Sequence, residues 1–338
     1  MSSISELGEF GLINHLTKDL KIKNKSTVKA VGDDAAVLDY GKKQMVLTTD
    51  LLIEGIHFDL SYTPLKHLGY KSVVVNLSDV CAMNAVPKQI TVSIAISNRF
   101  TLEAVDELYA GIHAACDRYN VDLVGGDTSS SVTGLLISIT AAGEVEKGNA
   151  VYRNGAKQND LICVSGDLGG AFAGLKLLQR EKEVYKSNPD MQPELKGYDY
   201  ILQRQLKPEA RMDIVKLFEE LKIRPTAMID ISDGLSSEIM HITKQSLCGS
   251  RIYDEKLPIA YDTEKFAEEL LMLPSVFALN GGEDYELLFT LTHDDFKKID
   301  GNPLITTIGY ITKPAEGNCL EGRDGSEVEL EAQGWRHQ

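Results

Sequence analysis

The chain reads as a two-domain protein of mixed α/β class. Three observations predict this. At 338 residues it exceeds one typical domain. Strand-like alternation and helix-like apolar spacing follow one another along both halves. A polar, turn-rich stretch, EKGNAVYRNGAKQNDL (146–161), lies between the halves. The expected division is therefore an N-terminal domain over 1–150 and a C-terminal domain over 151–338.

In chain order, Ile4, Leu7, Phe10, Ile13 and Leu16 recur at about every third position and predict an amphipathic helix. QMVLTTD (44–50) predicts a short strand ending in hydroxyls and an acid. Thr63-Pro64 supplies a cap and an initiating proline for a helix running through YKSVVVNLSDVCAMNA, which carries Asp79. In KQITVSIAIS (88–97), Ile90, Val92, Ile94 and Ile96 alternate with small polar residues, as in a half-buried strand. Leu102, Val105, Leu108, Ile112 and Cys116 mark a helix starting after Thr101. VDLVGGDTSSS then reads as a return to the surface, and GLLISITAAGEV as another strand.

The second half repeats the mixture. DLICVSG predicts a strand, GGAFAGLKLLQ a glycine turn into a helix, and KPEARMDIVKLFEEL a helix opened by Pro208. TAMIDISDGLSSEIMHI reads as strand, turn and helix, and YELLFTLT as a further strand. Residues 180–200 read as an exposed, polar insertion.

The formal charge of −15 opposes binding to a nucleic-acid backbone. No stretch approaches the roughly 18 apolar residues of a membrane helix, and the first thirty residues lack an apolar export core. The expectation is a cytoplasmic protein with neither nucleic acid nor membrane as partner. Five widely spaced cysteines, without a C-x-x-C pair, read as reduced and structural.

The acids carry the chemical signal. VGDDAAVL (31–38) sets Asp33 and Asp34 in an otherwise small, apolar run, where an ionised carboxylate needs a cation or hydrogen bonds. Asp50, Asp79, Asp127, Asp230, Asp233, Glu283 and Asp284 likewise stand at element ends beside Gly, Ser or Thr. In LTTD, two hydroxyls precede a carboxylate, a set of hard oxygen ligands suited to magnesium. In IDISDG, Asp230 and Ser232 are expected to share a strand face, with Asp233 and Gly234 opening the next helix. Magnesium needs one or two protein carboxylates per ion, so this many acids imply several ions. Neither G-x-x-x-x-G-K-[ST] nor G-x-G-x-x-G occurs, and no Ser-His-Asp or Cys-His arrangement is legible.

In this order and spacing, GDDAAV, LTTDLLIEGIHF, NLSDVCAM, VGGDT, YRNGAKQND, IDISDGL and NGGEDYEL resemble the thiamine-monophosphate kinase family of the aminoimidazole-ribonucleotide-synthetase-like superfamily. The resemblance spans residues 5–310, with a weaker tail. It implies an N-terminal α/β domain whose strands form a barrel across a homodimer, and a C-terminal α/β domain that completes the active site. It also implies ATP and thiamine monophosphate as substrates, with several magnesium ions. By matching position, Asp34, Thr48, Thr49, Asp50, Asp79, Asp127, Asp230 and Asp233 would hold metal. Tyr109, Gly126, Asp127, Arg153 and Ser232 would meet ATP. His57, Glu283 and Trp335 would face the thiamine phosphate. Asp34, Asp50, Asp79, Asp127 and Asp230 would form the catalytic set.

Phosphoryl transfer chiefly needs alignment and neutralised charge, so acid-held magnesium reconciles a −15 protein with anionic substrates. Direct transfer without a phosphoenzyme is the expectation. The alternatives are a selenophosphate-synthetase-type or aminoimidazole-ribonucleotide-synthetase-type activity, or an acidic cation-binding protein without catalysis. The first thirty residues carry no Cys, as a selenophosphate synthetase would, and the chain ends GWRHQ rather than in the cysteine-bearing tail of the hydrogenase-maturation dehydratase.

Overall fold

The computed structural model describes residues 15–29, 37–38 and 43–331. The helix expected from Ile4 begins outside these residues, and Asp33, Asp34 and Trp335 also lie outside them. The chain forms two compact units that divide between Gly148 and Asn149, with Cys81–Asn84 belonging to the second.

The first unit is built on a four-stranded sheet of order β3-β6-β4-β5, comprising β3 (Gln44–Ile53), β4 (Val86–Ile96), β5 (Asp122–Ser130) and β6 (Leu136–Val145). β3 and β4 run antiparallel to β6, and β5 runs parallel to β4. A small pair, β1 (Thr27–Lys29) and β2 (Val37–Leu38), forms a separate sheet tied to β5 by the Thr27 hydroxyl, which donates to Asp122 at 3.0 Å. β5 meets the expected return to the surface only in part, because VDLVGGDTSSS forms a paired strand whose first residues are buried. Its second half is solvent-exposed, and the ladder to β4 supplies the regularity that its glycines and hydroxyls do not advertise.

Two long helices complete the unit. The first, Leu65–Ala82, begins directly after Pro64. Val73, Val74, Leu77, Ser78, Val80 and Cys81 within it are fully buried, so this helix is covered around most of its circumference. The second, Leu102–Tyr119, is capped by the Thr101 hydroxyl, which accepts the Ala104 N–H. The helices meet at backbone distance: a Cβ on Gly69 would fall 1.9 Å from the Leu108 carbonyl oxygen, and one on Gly111 1.9 Å from that of Lys66. Only glycine fits at either position.

The second unit contains a seven-stranded sheet of order β13-β12-β9-β11-β7-β10-β8. Its strands are β7 (Leu161–Ser165), β8 (Ala227–Asp230), β9 (Gly249–Tyr253), β10 (Leu287–Leu291), β11 (Ile305–Thr312), β12 (Asn318–Glu321) and β13 (Glu327–Glu329). All neighbours pair antiparallel except β9 with β12. Central strands β7 and β10 are buried on both faces, which explains their near-continuous apolar runs. Ile162, Val164, Ile229, Leu235, Ile239 and Leu288 form one core. Leu177, Ile201, Phe266 and Phe277 form a second, beneath the helices Gly170–Ser187, Asp199–Leu206, Tyr261–Glu269 and Pro274–Asn280. Within the described chain neither sheet closes into a barrel.

Two local expectations are corrected. Residues 180–200 are not wholly an insertion, because one helix continues to Ser187 and another starts at Asp199, anchored by fully buried Ile201. Pro208 does not open a helix: that helix starts at Met212, after Arg211 has turned its guanidinium inward to Glu286. All five cysteines are free, and no helix among the described residues is long and apolar enough to cross a membrane.

Candidate active site

In the first unit β3 sets the geometry. Its alternation sends Thr48 and Asp50 to one face and Thr49 to the other. The Thr48 hydroxyl donates to Asp79 Oδ2 at 2.6 Å, and the Asp50 N–H donates to Asn76 Oδ1 at 3.0 Å. Asn76 stands one turn before Asp79 and is itself held by donating to the Ser72 carbonyl at 3.0 Å. Because β3 is an edge strand, the Asp50 amide is available for this tie to the helix. Burial and then the neighbouring Asp79 charge push the Asp50 carboxyl up to about 6. Thr49 leaves the group, donating to the Ile139 carbonyl at 3.1 Å and accepting from Thr140 at 3.1 Å.

The register places Asp127 one step aside. Asp50, Ile139, Val92 and Gly126 form one row across the sheet, and Leu51, Ser138, Ser93 and Asp127 form the next. Successive rows project from opposite faces, so Asp127 does not join Asp50 and Asp79. It is exposed at the sheet edge and lines a small pocket with Gly126, Val92, Leu123, Tyr109 and Leu16. Burial pushes the Tyr109 hydroxyl up to about 12 and keeps it a neutral phenol. Gly126 also has a packing reason to lack a side chain, since a Cβ there would sit 1.8 Å from the Val92 carbonyl oxygen.

His57 sits in the turn after β3, where its Nδ1 accepts the Ile53 N–H at 3.0 Å and its own N–H donates to the Ile53 carbonyl at 2.9 Å. With Nδ1 an acceptor, the proton of the neutral ring lies on Nε2. Glu54 in the same turn pairs with Arg99.

The second unit brings IDISDG and NGGEDYEL together. Asp230 ends β8 and is 4% exposed, opposite Leu287 of β10. The pairing continues past the strand ends: Ile231 N–H donates to Glu286 at 2.8 Å, Tyr285 N–H to Ile231 at 2.9 Å, and Glu283 N–H to the Ser232 carbonyl at 2.7 Å. Ser232 and Asp233 are exposed in a bend between β8 and the helix Leu235–Ser246, so Ser232 does not share a strand face with buried Asp230. Gly282 closes the contact, since a Cβ on it would lie 2.5 Å from the Ser232 carbonyl oxygen. Arg153 is exposed in the segment after the unit boundary.

Glu238, which the sequence reading passed over, organises this bend. Its Oε1 accepts the Ser232 N–H at 3.2 Å, the Ser232 hydroxyl at 3.3 Å and the Asp233 N–H at 2.8 Å. Burial pushes the Glu238 carboxyl up to about 8. The available signal was an acid in the first turn of the helix after Gly234, a position suited to the exposed N–H groups there. Asp284 is a structural acid, accepting from Gly169 N–H at 2.7 Å and Ala171 N–H at 3.3 Å. Among the described residues, no three His, Cys, Asp or Glu side chains gather closely enough to hold one metal ion. Asp50 stands beside Asp79 in the first unit, and in the second Asp233 and Asp230 each act on Glu238 without closing into a common ligand set.

A four-stranded sheet backed by two helices and edged with carboxylates defines a class. Residues 32–145 match AIR synthase related protein, N-terminal domain. Across nearly its full length the chain is 37% identical to the thiamine-monophosphate kinase of Aquifex aeolicus, covering 99% of each, and 33% identical to that of Bacillus subtilis, covering 98% of this chain and 99% of the relative. It also superimposes with a TM-score of 0.76 on a solved structure of AaThiL complexed with AMPPCP and TMP, at 36% identity, covering 100% of this chain and 99% of that one. The chain belongs to the thiamine-monophosphate kinase family.

Proposed function

We propose that this protein transfers the γ-phosphoryl group of ATP to thiamine monophosphate, giving thiamine diphosphate and ADP. What carries the reading is full-length similarity to thiamine-monophosphate kinases, together with the AMPPCP and TMP held by a relative that this chain matches along its entire length. An oxygen of the acceptor phosphate forms the new bond to the γ-phosphorus as the bond to the β–γ bridging oxygen breaks, and ADP leaves. The acceptor is already an anionic nucleophile, so neither a phosphoenzyme nor a side-chain base is required.

Asp50 and Asp79 support a divalent ion, because a half-buried carboxylate whose proton affinity is raised by burial and by its Asp79 neighbour is relieved by a hard cation. Magnesium ions would be held in the first unit by Asp34, Thr48, Asp50, Asp79 and Asp127 and in the second by Asp230 and Asp233, while Thr49, expected among the ligands, has its hydroxyl engaged by Ile139 and Thr140. The chemistry it supplies when bound is neutralisation of phosphate charge. Tyr109, Gly126, Arg153 and Ser232 serve ATP, and His57, Glu283 and Trp335 serve the acceptor. A neutral His57 with its proton on Nε2 is a hydrogen-bond donor for an anionic substrate.

A homodimer is part of the proposal. Met45, Leu47 and Leu51 on the outward face of β3 are 49%, 61% and 45% exposed, an apolar strip that a second copy would cover to complete a barrel. The setting is the cytoplasm. An ADP-release assay over a panel of phosphorylated acceptors, with and without magnesium, tests the substrate. Thiamine monophosphate should be preferred, and equal turnover of unrelated phosphates would overturn that choice.

A further inference from the structure

The NGGEDYEL loop is held from behind by a helix to which no role has been given. Gly282, Glu283 and Tyr285 have φ of 71°, 58° and 53°, so two residues with side chains stand in left-handed backbone within one short loop. Such conformations persist where the surroundings over-determine them. Part of that constraint is the Ser232 and Ile231 backbone described above. The rest comes from the helix Asp199–Leu206.

Gln205, 6% exposed, donates from Nε2 to Glu283 Oε2 at 2.9 Å. Its neighbour Arg204 donates to the Asp284 carbonyl at 3.4 Å, to the Asp167 carbonyl at 2.9 Å and to Glu286 Oε1 at 3.0 Å. The helix itself is seated at backbone contact, since a Cβ on Gly174 would lie 2.1 Å from the Ile201 carbonyl oxygen. A rigid helix thus grips the main chain beside Glu283 through Arg204 and its carboxylate through Gln205. Gln205 contributes a neutral amide, which orients the carboxylate without adding the positive charge that Lys or Arg would bring.

We propose that Gln205 is a positioning residue for Glu283, aiming its carboxylate at the phosphorylated acceptor. The inference rests on the proposed role of Glu283. Its test is steady-state kinetics of the full-length protein carrying Gln205→Met, Gln205→Glu, Glu283→Gln, or Gln205→Met with Glu283→Gln. Gln205→Met keeps the buried bulk, and Gln205→Glu keeps the shape while removing the donor, so one remains informative should the other fold poorly.

The expected result is a rise in KM for thiamine monophosphate of roughly tenfold in both Gln205 variants, with KM for ATP unchanged. Gln205→Met should add nothing once Glu283→Gln is present. Parallel changes in both KM values, or full additivity of the two substitutions, would overturn the positioning role. If Glu283→Gln shifts the acceptor KM and neither Gln205 variant does, the positioning role alone fails. If Glu283→Gln leaves that KM unchanged, the reading of Glu283 fails and takes the inference with it.

Discussion

The Thr48 hydroxyl donates to Asp79 Oδ2 at 2.6 Å, fixing the carboxylate whose charge raises the proton affinity of Asp50. A strand residue thereby locks a helix residue in place to act on a third. Such a repulsive pair weakens the fold and suits a site that expects a cation.

Asp50→Asn should separate stability from activity. Removing a half-desolvated carboxylate from beside Asp79 stabilises the metal-free protein by about 1–2 kcal/mol at pH 8. Thiamine diphosphate formation should fall by roughly 100-fold or more, as for the loss of a metal ligand. Urea unfolding and a turnover assay on the same preparation check both, and normal turnover at limiting magnesium would remove Asp50 from the site.

The pH dependence of stability has a defined sign. Asp50 binds its proton up to about pH 6 when folded, against 3.8 when unfolded, and Glu238 up to about pH 8 against 4.5. The folded state therefore holds more protons between these values, so stability falls as pH rises. Between pH 5 and 8 the metal-free protein should lose stability steadily. Asp50→Asn should flatten the lower part of that slope and Glu238→Gln the upper part. Saturating magnesium should flatten the Asp50 portion.

The crossing of the two long helices in the first unit leaves no room for a methyl group. Gly69→Ala and Gly111→Ala each force a Cβ to 1.9 Å from a carbonyl oxygen. Each should cost about 3 kcal/mol, at the upper end for overpacking. Chemical denaturation gives the number, and a loss below about 1 kcal/mol would mean that the helices separate easily.

Glu286 lies at the centre of a buried ionic group in the second unit. It is 2% exposed and takes Arg204 at 3.0 Å, together with Arg211 and the Ser165 hydroxyl. Glu286→Ala leaves two guanidiniums facing a dry site, with an expected loss of about 3–5 kcal/mol. Thermal melting of this variant beside Glu286→Gln measures it.

Legibility in the sequence followed hydrophobic pattern. The strand 88–97 and the helix after Thr101 show it plainly, because one face of each meets a core, whereas the helix after Pro64, buried nearly all round, was marked by its Thr63-Pro64 start. The helix Asp199–Leu206 does not, because Arg204 and Gln205 turn inward and place polar residues where a core face is expected. β5 was hidden for the opposite reason, since Gly125, Gly126 and Asp127 gain their strand conformation from β4 rather than from propensity. For the candidate site, the motifs singled out the acids, and alternation along β3 puts Thr48 and Asp50 on one face and Thr49 on the other. Glu238 and Gln205 escaped notice because each works through another residue.

The deciding experiment follows the phosphorus atoms by 31P NMR as the protein is supplied with ATP and thiamine monophosphate. With magnesium, thiamine diphosphate and ADP should grow in equal amounts, and chelation should stop both. ATP consumed to ADP and free phosphate, with thiamine monophosphate untouched, would contradict the proposed transfer.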